Sequence, residues 1–396
     1  WDEILEGGLA PSATVMSWRG EEGGIAAALM DHTVIMTPGG NGMYLDAYQG
    51  DPKIEPVTIG GYTLLEKTYS YNPIPDTLAA MGKSDYILGV QGNTWSEYMY
   101  DEAKRDYMIF PRILAVAEIG WTNLDRKDYK DFERRIENAY VRLDGHAINY
   151  HIPLPEQPNG SCNFVAFTDK ASLEFKTTRP IKMVYTLDGS EPTPASTAYT
   201  APIEISETTT LKIASVLPSG KMSPVRTIQV EKQSLAPAKE VAQTTPGLNM
   251  EVTDGMYLNV KELEAAKKET KKSVIKDLKE IRSVVETSES MRGVNQYAAV
   301  ATGYVNIPED GVYFISSDLE EVWIDGKLLV NNGGEVKRFS RHDNSVALAK
   351  GLHEIKAVFL GHIIGGWPSN WNDGSIKLRK SDAAEFTAIT PEMLCH

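Results

Sequence analysis

The chain has 396 residues, of which 42% are hydrophobic and 24% are charged, and this composition is typical of a globular protein with two or three domains. A net charge of −14 argues against binding to nucleic acid, because nucleic-acid-binding surfaces are basic. The two cysteines, Cys162 and Cys395, lie far apart and match no metal-ligand spacing, so we expect no disulfide framework and no metal site built on cysteine. No cofactor is expected.

The chain opens with WDEILEGG, which looks like the middle of a structural element. This segment has neither the charged region nor the apolar region of a signal peptide. We therefore expect that an N-terminal part of the same protein precedes Trp1. No apolar run along the chain approaches the roughly 20 residues of a membrane helix, so we expect no membrane span.

The first 150 residues alternate between strand and helix patterns. Strands are predicted at 13–20, 33–39 and 86–90, and helices at 21–32, 101–119 and 129–143. A long loop rich in Gly, Pro and Tyr spans roughly residues 50–75. The alternation predicts a parallel sheet or barrel, although three or four strands are too few to close an eight-stranded barrel.

The remainder of the chain is predominantly β. Short alternating strands separated by turns predict a small β-sandwich at 151–233, and 234–247 has the composition of a linker. Period-2 alternation predicts a second β domain at 248–396. Within it we expect a short helix near 260–266, followed by loop or strand.

Pairs of an aromatic and an acidic residue stand near two of the predicted strand ends. Trp95 and Glu97 follow strand 86–90 in the segment GVQGNTWSEYMYDE, and Tyr44 and Asp46 have the same spacing in GMYLDAY. Residues i and i+2 of an extended chain point to the same face, so each pair shares a direction if the backbone stays extended.

Two further indoles are placed similarly, since Trp18 ends the first predicted strand and Trp1 opens the chain. The carboxyl ends of barrel strands meet at one rim, where active sites lie. An indole packs on the C–H face of a pyranose and a carboxylate accepts hydroxyl protons, so this combination indicates a neutral sugar. A lone Trp at a strand end is more often part of the core, and a lone carboxylate is more often solvated.

The motifs WDEIL, SWRG, MYLD, IGGYTLLEKTYSYNPIP and LGVQGNTWSEYM, in this order, resemble the second half of the catalytic barrel of family 20 glycoside hydrolases, the β-N-acetylhexosaminidases. Residues 161–232 resemble the small β domain that follows the barrel in bacterial members. Residues 248–380 resemble the protective-antigen-type β-sandwich, a module often tied to carbohydrate binding. The resemblance implies a multidomain α/β plus all-β protein: a partial (β/α)8 TIM-type barrel at 1–150, followed by two β-sandwich domains.

The resemblance also implies a mechanism. Family members are retaining hydrolases in which the substrate's 2-acetamido carbonyl is the nucleophile, and water then opens an oxazolinium intermediate. Tyr44 matches the tyrosine that orients the acetamido oxygen, and is the expected catalytic residue. Asp46 and Glu97 match carboxylates that hold sugar hydroxyls.

The remaining expected substrate-binding residues are aromatic. Trp1, Trp18 and Trp95 match the indoles that enclose the acetamido methyl group, and Trp95 also lies under the ring. Tyr62, in the long loop, is a candidate for stacking on the leaving sugar, although loop tyrosines more often pack the loop itself.

The Asp2-Glu3 dipeptide looks like the family's catalytic pair, but that pair follows a His-x-Gly-Gly segment, which does not precede Trp1. The resemblance aligns Trp-Asp-Glu-Ile with the next barrel strand instead. The general acid is therefore expected in the missing N-terminal part, and this chain alone is not expected to hydrolyse its substrate.

The last domain carries candidates for a sugar or calcium site, and a spacer without a ligand is an equal alternative. The candidate residues are Asp318, Asp325, Trp367, Trp371 and Asp373.

The sequence thus predicts an exo-β-N-acetylhexosaminidase acting on glycans with terminal β-linked GlcNAc or GalNAc. Two alternatives remain open: a non-catalytic protein that binds carbohydrate through its last domain, and a structural adhesin fragment. The family resemblance implies a periplasmic or secreted location.

Overall fold

The computed structural model describes residues 1–266, 269–282, 297–332, 344–361 and 374–396, together with the backbone at 363–364 and 367–368. An α/β unit comes first along the chain, and two β-rich units follow it. This order agrees with the expected architecture. Among the described helices, none is long and apolar enough to cross a bilayer.

The α/β unit contains a parallel three-stranded sheet in the order β1-β2-β3. Its strands are β1 Val15–Ser17, β2 Val34–Met36 and β3 Ile87–Val90. All three lie within the predicted ranges and are shorter than them. The sheet has two open edges, as expected for part of a barrel.

Six helices accompany this sheet: α1 Glu22–Leu29, α2 Leu65–Ser70, α3 Asp76–Ala80, α4 Glu102–Ile109, α5 Arg112–Trp121 and α6 Tyr129–Gly145. The single helix predicted at 101–119 is wrong in one respect, because it is split into α4 and α5. Pro111 lies at the break, and proline has no backbone N–H with which to continue a helix. Asp101 caps α4 by accepting a hydrogen bond from the Lys104 amide at 2.7 Å.

Helix α6 packs its apolar face on this unit, as its spacing predicts. Phe132, Ile136 and Tyr140 recur every four residues and are all buried. They share one hydrophobic core with Val34 on β2 and Val116 on α5. The helices thus hold the sheet from one side and fix the positions of its carboxyl ends.

The second unit is a small β domain. Its seven strands are β4 Phe164–Phe167, β5 Ala171–Leu173, β6 Lys182–Thr186, β7 Thr197–Ala198, β8 Ile203–Ile205, β9 Thr209–Val216 and β10 Arg226–Lys232. Five of them form a sheet in the order β4-β10-β9-β6-β7, and β5 pairs with β8. One core contains Leu173 and Ile203 from the pair together with Leu211 and Ile228 from the sheet.

The third unit begins with β11 Leu248–Asp254, α7 Val260–Ala265 and β12 Lys271–Ile275. This confirms the short helix, and a strand follows it where loop or strand was expected. The later strands are β13 Tyr297–Ile307, β14 Gly311–Ser317, β15 Glu321–Ile324, β16 Lys327–Asn331, β17 Asn344–Leu348, β18 Gly351–Gly361, β19 Ile363–Ile364, β20 Trp367–Pro368, β21 Ile376–Lys380, β22 Thr387–Ala388 and β23 Leu394–Cys395.

Two sheets of the third unit share one core. The larger sheet has the order β12-β11-β13-β18-β15-β16, with β23 also paired to β13, and the smaller has the order β17-β14-β21-β22. Val252 of the larger sheet and Ile315 and Leu378 of the smaller one belong to the same hydrophobic cluster. The unit is therefore a β-sandwich.

The segment expected to be a linker, 234–247, is hydrogen-bonded to the third unit. The Ala236 amide donates to the carbonyl of Ala347 at 2.9 Å, and the Thr245 amide donates to that of His396 at 2.8 Å. The second and third units also touch directly, because the Ala166 amide donates to the Ser345 hydroxyl at 2.6 Å.

Candidate functional site

The site lies at the carboxyl ends of the three parallel strands. Trp18 follows β1 directly, and the backbone continues from β3 to Asn93. The Asn93 amide donates to the Met43 carbonyl at 2.8 Å, and the Leu45 amide donates to the Asn93 carbonyl at 2.7 Å. These two bonds place Tyr44 beside the segment that carries Trp95.

Four aromatic rings, which we call the aromatic rim, lie together at these strand ends. The ring centroids of Trp1 and Trp95 are 6.0 Å apart, those of Trp1 and Trp18 are 6.3 Å apart, and those of Tyr44 and Trp95 are 6.3 Å apart. Trp1 is 48% exposed and Trp95 is 42% exposed. Since core tryptophans are largely buried, this exposure favours a binding surface over the packing alternative.

Trp18 is fixed in the rim by an acidic partner. Its Nε1–H is 3.0 Å from both carboxylate oxygens of Glu3, and Glu3 also pairs with Arg19 at 2.9 Å. The indole N–H is the first cause of the lowered pKa of Glu3. Glu3 therefore serves here as a hydrogen-bond acceptor that orients an indole.

Tyr44 has room at the rim because Gly39 has no side chain. A Cβ at Gly39 would lie 2.9 Å from two carbons of the Tyr44 ring. Burial raises the pKa of the Tyr44 hydroxyl, and the charge of Asp46 raises it further. The hydroxyl is therefore protonated at neutral pH and can donate a hydrogen bond.

Asp46 is the buried carboxylate of the site. Its side chain is 4% exposed, and its Oδ1 atom has no hydrogen-bond partner within the described part of the chain. The pKa of Asp46 is raised to about 6, chiefly by burial; Arg112 and the Trp95 backbone N–H oppose this rise and the charge of Glu97 adds to it. A buried carboxylate oxygen without a partner is costly, which is the condition under which a ligand hydroxyl would be bound.

Glu97 lies beside the same carboxylate and is exposed to solvent. The spacing argument for Trp95 and Glu97 depended on an extended backbone, and that condition is not met at Glu97, because residues 96–99 form a turn closed by a 3.0 Å bond from the Met99 amide to the Ser96 carbonyl. Likewise, Tyr44 forms an isolated bridge to Asn93 and does not belong to a strand. The Tyr44 and Trp95 side chains still lie close together, because the backbone hydrogen bonds of Asn93 with Met43 and Leu45 hold the two segments side by side.

Tyr62 has acidic neighbours. Its backbone forms an isolated bridge to Tyr48. Burial, with the negative charges of Glu156, Asp51 and Glu55, raises the pKa of its hydroxyl to about 12. Its ring is 46% exposed. None of the contacts described for Tyr62 is with the aromatic rim, so its stacking on a leaving sugar stays a prediction.

Arg112 was not among the residues predicted from the sequence. This side chain is fully buried, and its guanidinium donates to the carbonyls of Ala47 and Thr63, at 3.0 Å each, and to those of Leu45 and Met108. A signal was present, since an arginine inside the apolar stretch PRILAVAEI on a core-facing helix needs internal acceptors. Arg112 ties helix α5 to the segment that carries Asp46.

The candidates in the last domain have separate surroundings. Asp325 accepts from His353 Nδ1 at 2.6 Å and from the Glu354 amide at 3.0 Å, and Asp318 is buried. The side chains of Trp367, Trp371 and Asp373 lie outside the described residues. Across the described ranges, no group of three or more His, Cys, Asp or Glu residues is arranged to hold a metal ion.

Comparison with protein families gives three matches in chain order. Residues 1–124 match the glycosyl hydrolase family 20 catalytic domain, and 166–227 match the chitobiase/beta-hexosaminidase C-terminal domain. Residues 257–389 match the PA14 domain. These matches confirm the resemblances stated from the motifs.

Comparison with individual proteins finds similar beta-hexosaminidases. The chain is 54% identical over 394 residues to a beta-hexosaminidase of Porphyromonas gingivalis, covering 100% of this chain and 50% of that protein. It is 34% identical over 122 residues to a beta-hexosaminidase of Vibrio furnissii, covering 30% and 20% respectively. A solved family 20 exo beta-N-acetylglucosaminidase of Vibrio harveyi matches at 30% identity and a TM-score of 0.35, covering 38% of this chain and 24% of that one. The chain spans about half the length of the Porphyromonas relative.

Proposed function

Because the chain combines part of a glycosyl hydrolase family 20 catalytic domain with a C-terminal domain of the chitobiase/beta-hexosaminidase type and a PA14 domain, we propose that the full-length protein is an exo-acting β-N-acetylhexosaminidase. It removes terminal β-linked GlcNAc or GalNAc from glycans. The observation that carries the proposal is the aromatic rim, in which neighbouring rings lie 6.0–6.3 Å apart and remain open to solvent.

Each side chain of the site has a role in this reaction. The indoles of Trp1, Trp18 and Trp95 enclose the acetamido methyl group, and their apolar surface excludes water from the reacting carbonyl. The Tyr44 hydroxyl donates to the acetamido oxygen and holds it for attack on the anomeric carbon. In this substrate-assisted reaction the nucleophile belongs to the sugar, so the protein supplies orientation in place of a nucleophilic carboxylate.

Asp46 and Glu97 fix the sugar ring through its hydroxyls. The unpartnered Oδ1 of Asp46 accepts one hydroxyl proton, and the exposed Glu97 carboxylate accepts another. A sugar lacking those hydroxyls would leave the Oδ1 atom of Asp46 buried without a partner, and the site would therefore discriminate against that sugar. Asp46 must be ionised to accept well, so binding strengthens as the pH rises through about 6.

We further propose that the general acid comes from outside these 396 residues. Glu3 bonds to Trp18 and Arg19, so it is not free to protonate a leaving group. The two edge strands of the three-stranded sheet and exposed apolar side chains such as Leu88, at 61%, form a surface that the remaining barrel strands would cover. The Porphyromonas relative is about twice as long as this chain, which leaves room for them.

The test is hydrolysis of an aryl β-N-acetylglucosaminide by the full-length gene product. We expect Tyr44→Phe to lower kcat by roughly 10²–10³-fold, the loss typical of one donor to a reacting oxygen. We expect Glu97→Gln mainly to raise KM, by about tenfold or more. The matched control is Trp121→Phe, at a residue that is 92% exposed, which should leave both constants unchanged. If Tyr44→Phe and Glu97→Gln behave like this control, the assignment is wrong.

A second substrate tests the role of the acetamide. The aryl β-glucoside carries a hydroxyl in place of the acetamido group and so lacks the internal nucleophile. We expect the full-length protein to hydrolyse it at least a thousandfold more slowly than the N-acetyl compound. Comparable rates on both substrates would contradict the substrate-assisted mechanism.

A further inference from the structure

One loop of the first unit runs from the junction with the second unit to the candidate site. We call residues 51–59 the junction loop. Near its end, Thr58 lines a small, closely packed pocket together with Asp46 and Trp95. The Thr58 amide also donates to the Tyr48 hydroxyl at 3.2 Å. The position of the junction loop therefore sets part of the wall beside the buried carboxylate and an indole of the aromatic rim.

The connection to the second unit holds the start of this loop. The Asp51 amide donates to Glu156 Oε1 at 2.8 Å, and the Ser161 amide donates to Asp51 Oδ2 at 3.0 Å. Glu156 is in turn fixed to the second unit, because its backbone exchanges two hydrogen bonds with that of Lys176, at 2.7 Å and 2.9 Å. The backbone and the side chain of Asp51 are thus both bonded to the segment that leads into the second unit.

Two buried carboxylates converge where the junction loop begins. A Cβ at Gly50 would lie 2.8 Å from Glu156 Oε1 and 2.7 Å from Glu55 Oε1, so both side chains approach the backbone closely here. Glu55 accepts from the Tyr107 hydroxyl and lies beside His151 Nε2. Burying a carboxylate is costly unless it is hydrogen-bonded. The burial of Glu156 is therefore offset only while the loop keeps its amide in place.

The third unit contacts the same loop through alternating cations and aromatic rings. Lys53 Nζ lies 5.7 Å from the centroid of the Phe386 ring, and the guanidinium carbon of Arg379 lies 5.2 Å from that centroid. The same guanidinium carbon lies 4.3 Å from the centroid of the Phe314 ring, which packs against the core of the second unit. Cation–π attraction of this kind joins the junction loop to both β units.

We propose that the two β units position the junction loop for sugar binding, and that Glu156 is the positioning residue through which the second unit acts. In this role Glu156 does not contact the sugar. It holds Asp51, and the loop carries that position to the wall beside Asp46 and Trp95. The role rests on the proposed function, in which these two residues bind the sugar. It gives the β units a part in the reaction beyond that of spacers.

The first measurement is hydrogen exchange of the 396-residue chain, which requires no enzymatic activity. Glu156→Ala removes the acceptor of the Asp51 amide, so we expect amides of the junction loop to exchange at least roughly tenfold faster. Amides of β9 should exchange as in wild type, which distinguishes local opening from a loss of global stability. Glu156→Gln keeps an acceptor oxygen and should stay close to wild type. Glu174→Ala, at an exposed carboxylate of the second unit, is the matched control.

The second measurement is hydrolysis of the aryl β-N-acetylglucosaminide by the full-length protein. The loop acts on residues that hold the sugar before and during the reaction, so its displacement should weaken both states equally. We expect Glu156→Ala to raise KM at least roughly fivefold and to change kcat by less than about twofold. Glu156→Gln should keep KM within about twofold of wild type. A substitution that only destabilised the fold would lower the amount of active enzyme, and hence the apparent kcat, with KM unchanged.

Asp51→Ala replaces Glu156→Ala if circular dichroism shows that the latter does not fold. It removes the bond from Ser161 at a half-buried residue and should raise KM and speed exchange in the same way. The proposal is overturned if the folded variant keeps wild-type KM and wild-type exchange in the junction loop, or if Glu156→Gln is as impaired as Glu156→Ala. Absence of hydrolysis by the full-length wild type would overturn the proposed function instead, and the exchange measurement would still decide whether Glu156 holds the loop.

Discussion

Arg112 hydrogen-bonds to the backbone on both sides of Asp46. Its guanidinium donates to the carbonyl of Leu45, which precedes Asp46, and to that of Ala47, which follows it. Two further bonds reach the carbonyls of Thr63 and Met108. A fully buried cation thus satisfies four carbonyls, holds the acidic segment of the site against helix α5, and lowers the pKa of Asp46.

Replacing Arg112 with methionine should strongly destabilise the protein. The change removes a donor from four carbonyls, of which, among the described contacts, only that of Met108 keeps another donor, Gln49 Nε2 at 3.4 Å, and each buried unsatisfied group costs about 1–3 kcal/mol. We expect the free energy of unfolding to fall by at least roughly 3 kcal/mol, measured by urea denaturation. Arg134→Met is the matched control, because Arg134 makes only an exposed pair with Asp131 and should cost less than about 1 kcal/mol. Equal losses in the two variants would contradict this role for Arg112.

The pH dependence of stability should report Asp46. Burial raises the pKa of Asp46 from 3.8 to about 6, so the folded chain binds this proton more tightly than the unfolded chain. The contribution of protonated Asp46 to the free energy of unfolding is therefore fully present below about pH 4 and is lost as the pH rises through about 6. We expect Asp46→Asn to match wild type near pH 4 and to exceed it at pH 7 by on the order of 2 kcal/mol.

The measurement is urea denaturation at several pH values, with Asp125→Asn as control at an exposed carboxylate. Burial also raises the pKa of Glu156 to about 6, so this residue should likewise make the protein less stable as the pH rises. Glu156→Gln should therefore remove a separate part of the decrease in unfolding free energy with pH. A gain that is the same at pH 4 and pH 7 would show that the burial of the Asp46 charge is not its cause.

The residues of the site could be predicted from the sequence, but the backbone conformation that carries them could not. Spacing placed Trp95 with Glu97, and motif resemblance placed both with Tyr44 and Asp46. The structure brings these four together through a turn and an isolated bridge, whereas the spacing argument depended on an extended backbone. Arg112 could not be paired from sequence, because three of its acceptors lie 49–67 residues away and belong to the backbone, which every residue type provides.

Substitution of Glu55, like that of Arg112, should destabilise the fold. It is 2% exposed, accepts from the Tyr107 hydroxyl at 2.6 Å, and lies 2.9 Å from His151 Nε2. Glu55→Ala removes the acceptor of two buried groups and should lower the free energy of unfolding by about 2–4 kcal/mol. Glu102→Ala, at an exposed residue of α4, is the control for urea denaturation. A loss below about 1 kcal/mol for Glu55→Ala would contradict the network.

Contact between the two β units should couple their unfolding. The Ala166 amide donates to the Ser345 hydroxyl, and the Ala347 amide donates to Gln233 Oε1 at 3.1 Å. Ser345→Ala leaves a buried amide unpaired and should cost about 1–3 kcal/mol. Ser196→Ala, in an exposed turn of the second unit, is the control. Calorimetry should show the two units melting together in wild type and further apart in Ser345→Ala; unchanged transitions would argue against the coupling.

The most direct test of the account is a crystal structure of the full-length protein with N-acetylglucosamine bound. The account predicts that the acetamido methyl group lies in van der Waals contact with the indoles of Trp1, Trp18 and Trp95. It also predicts that the acetamido oxygen accepts from Tyr44 and that sugar hydroxyls contact Asp46 and Glu97. A sugar bound at this rim with its methyl group facing solvent, or a rim left empty at saturating sugar, would contradict it.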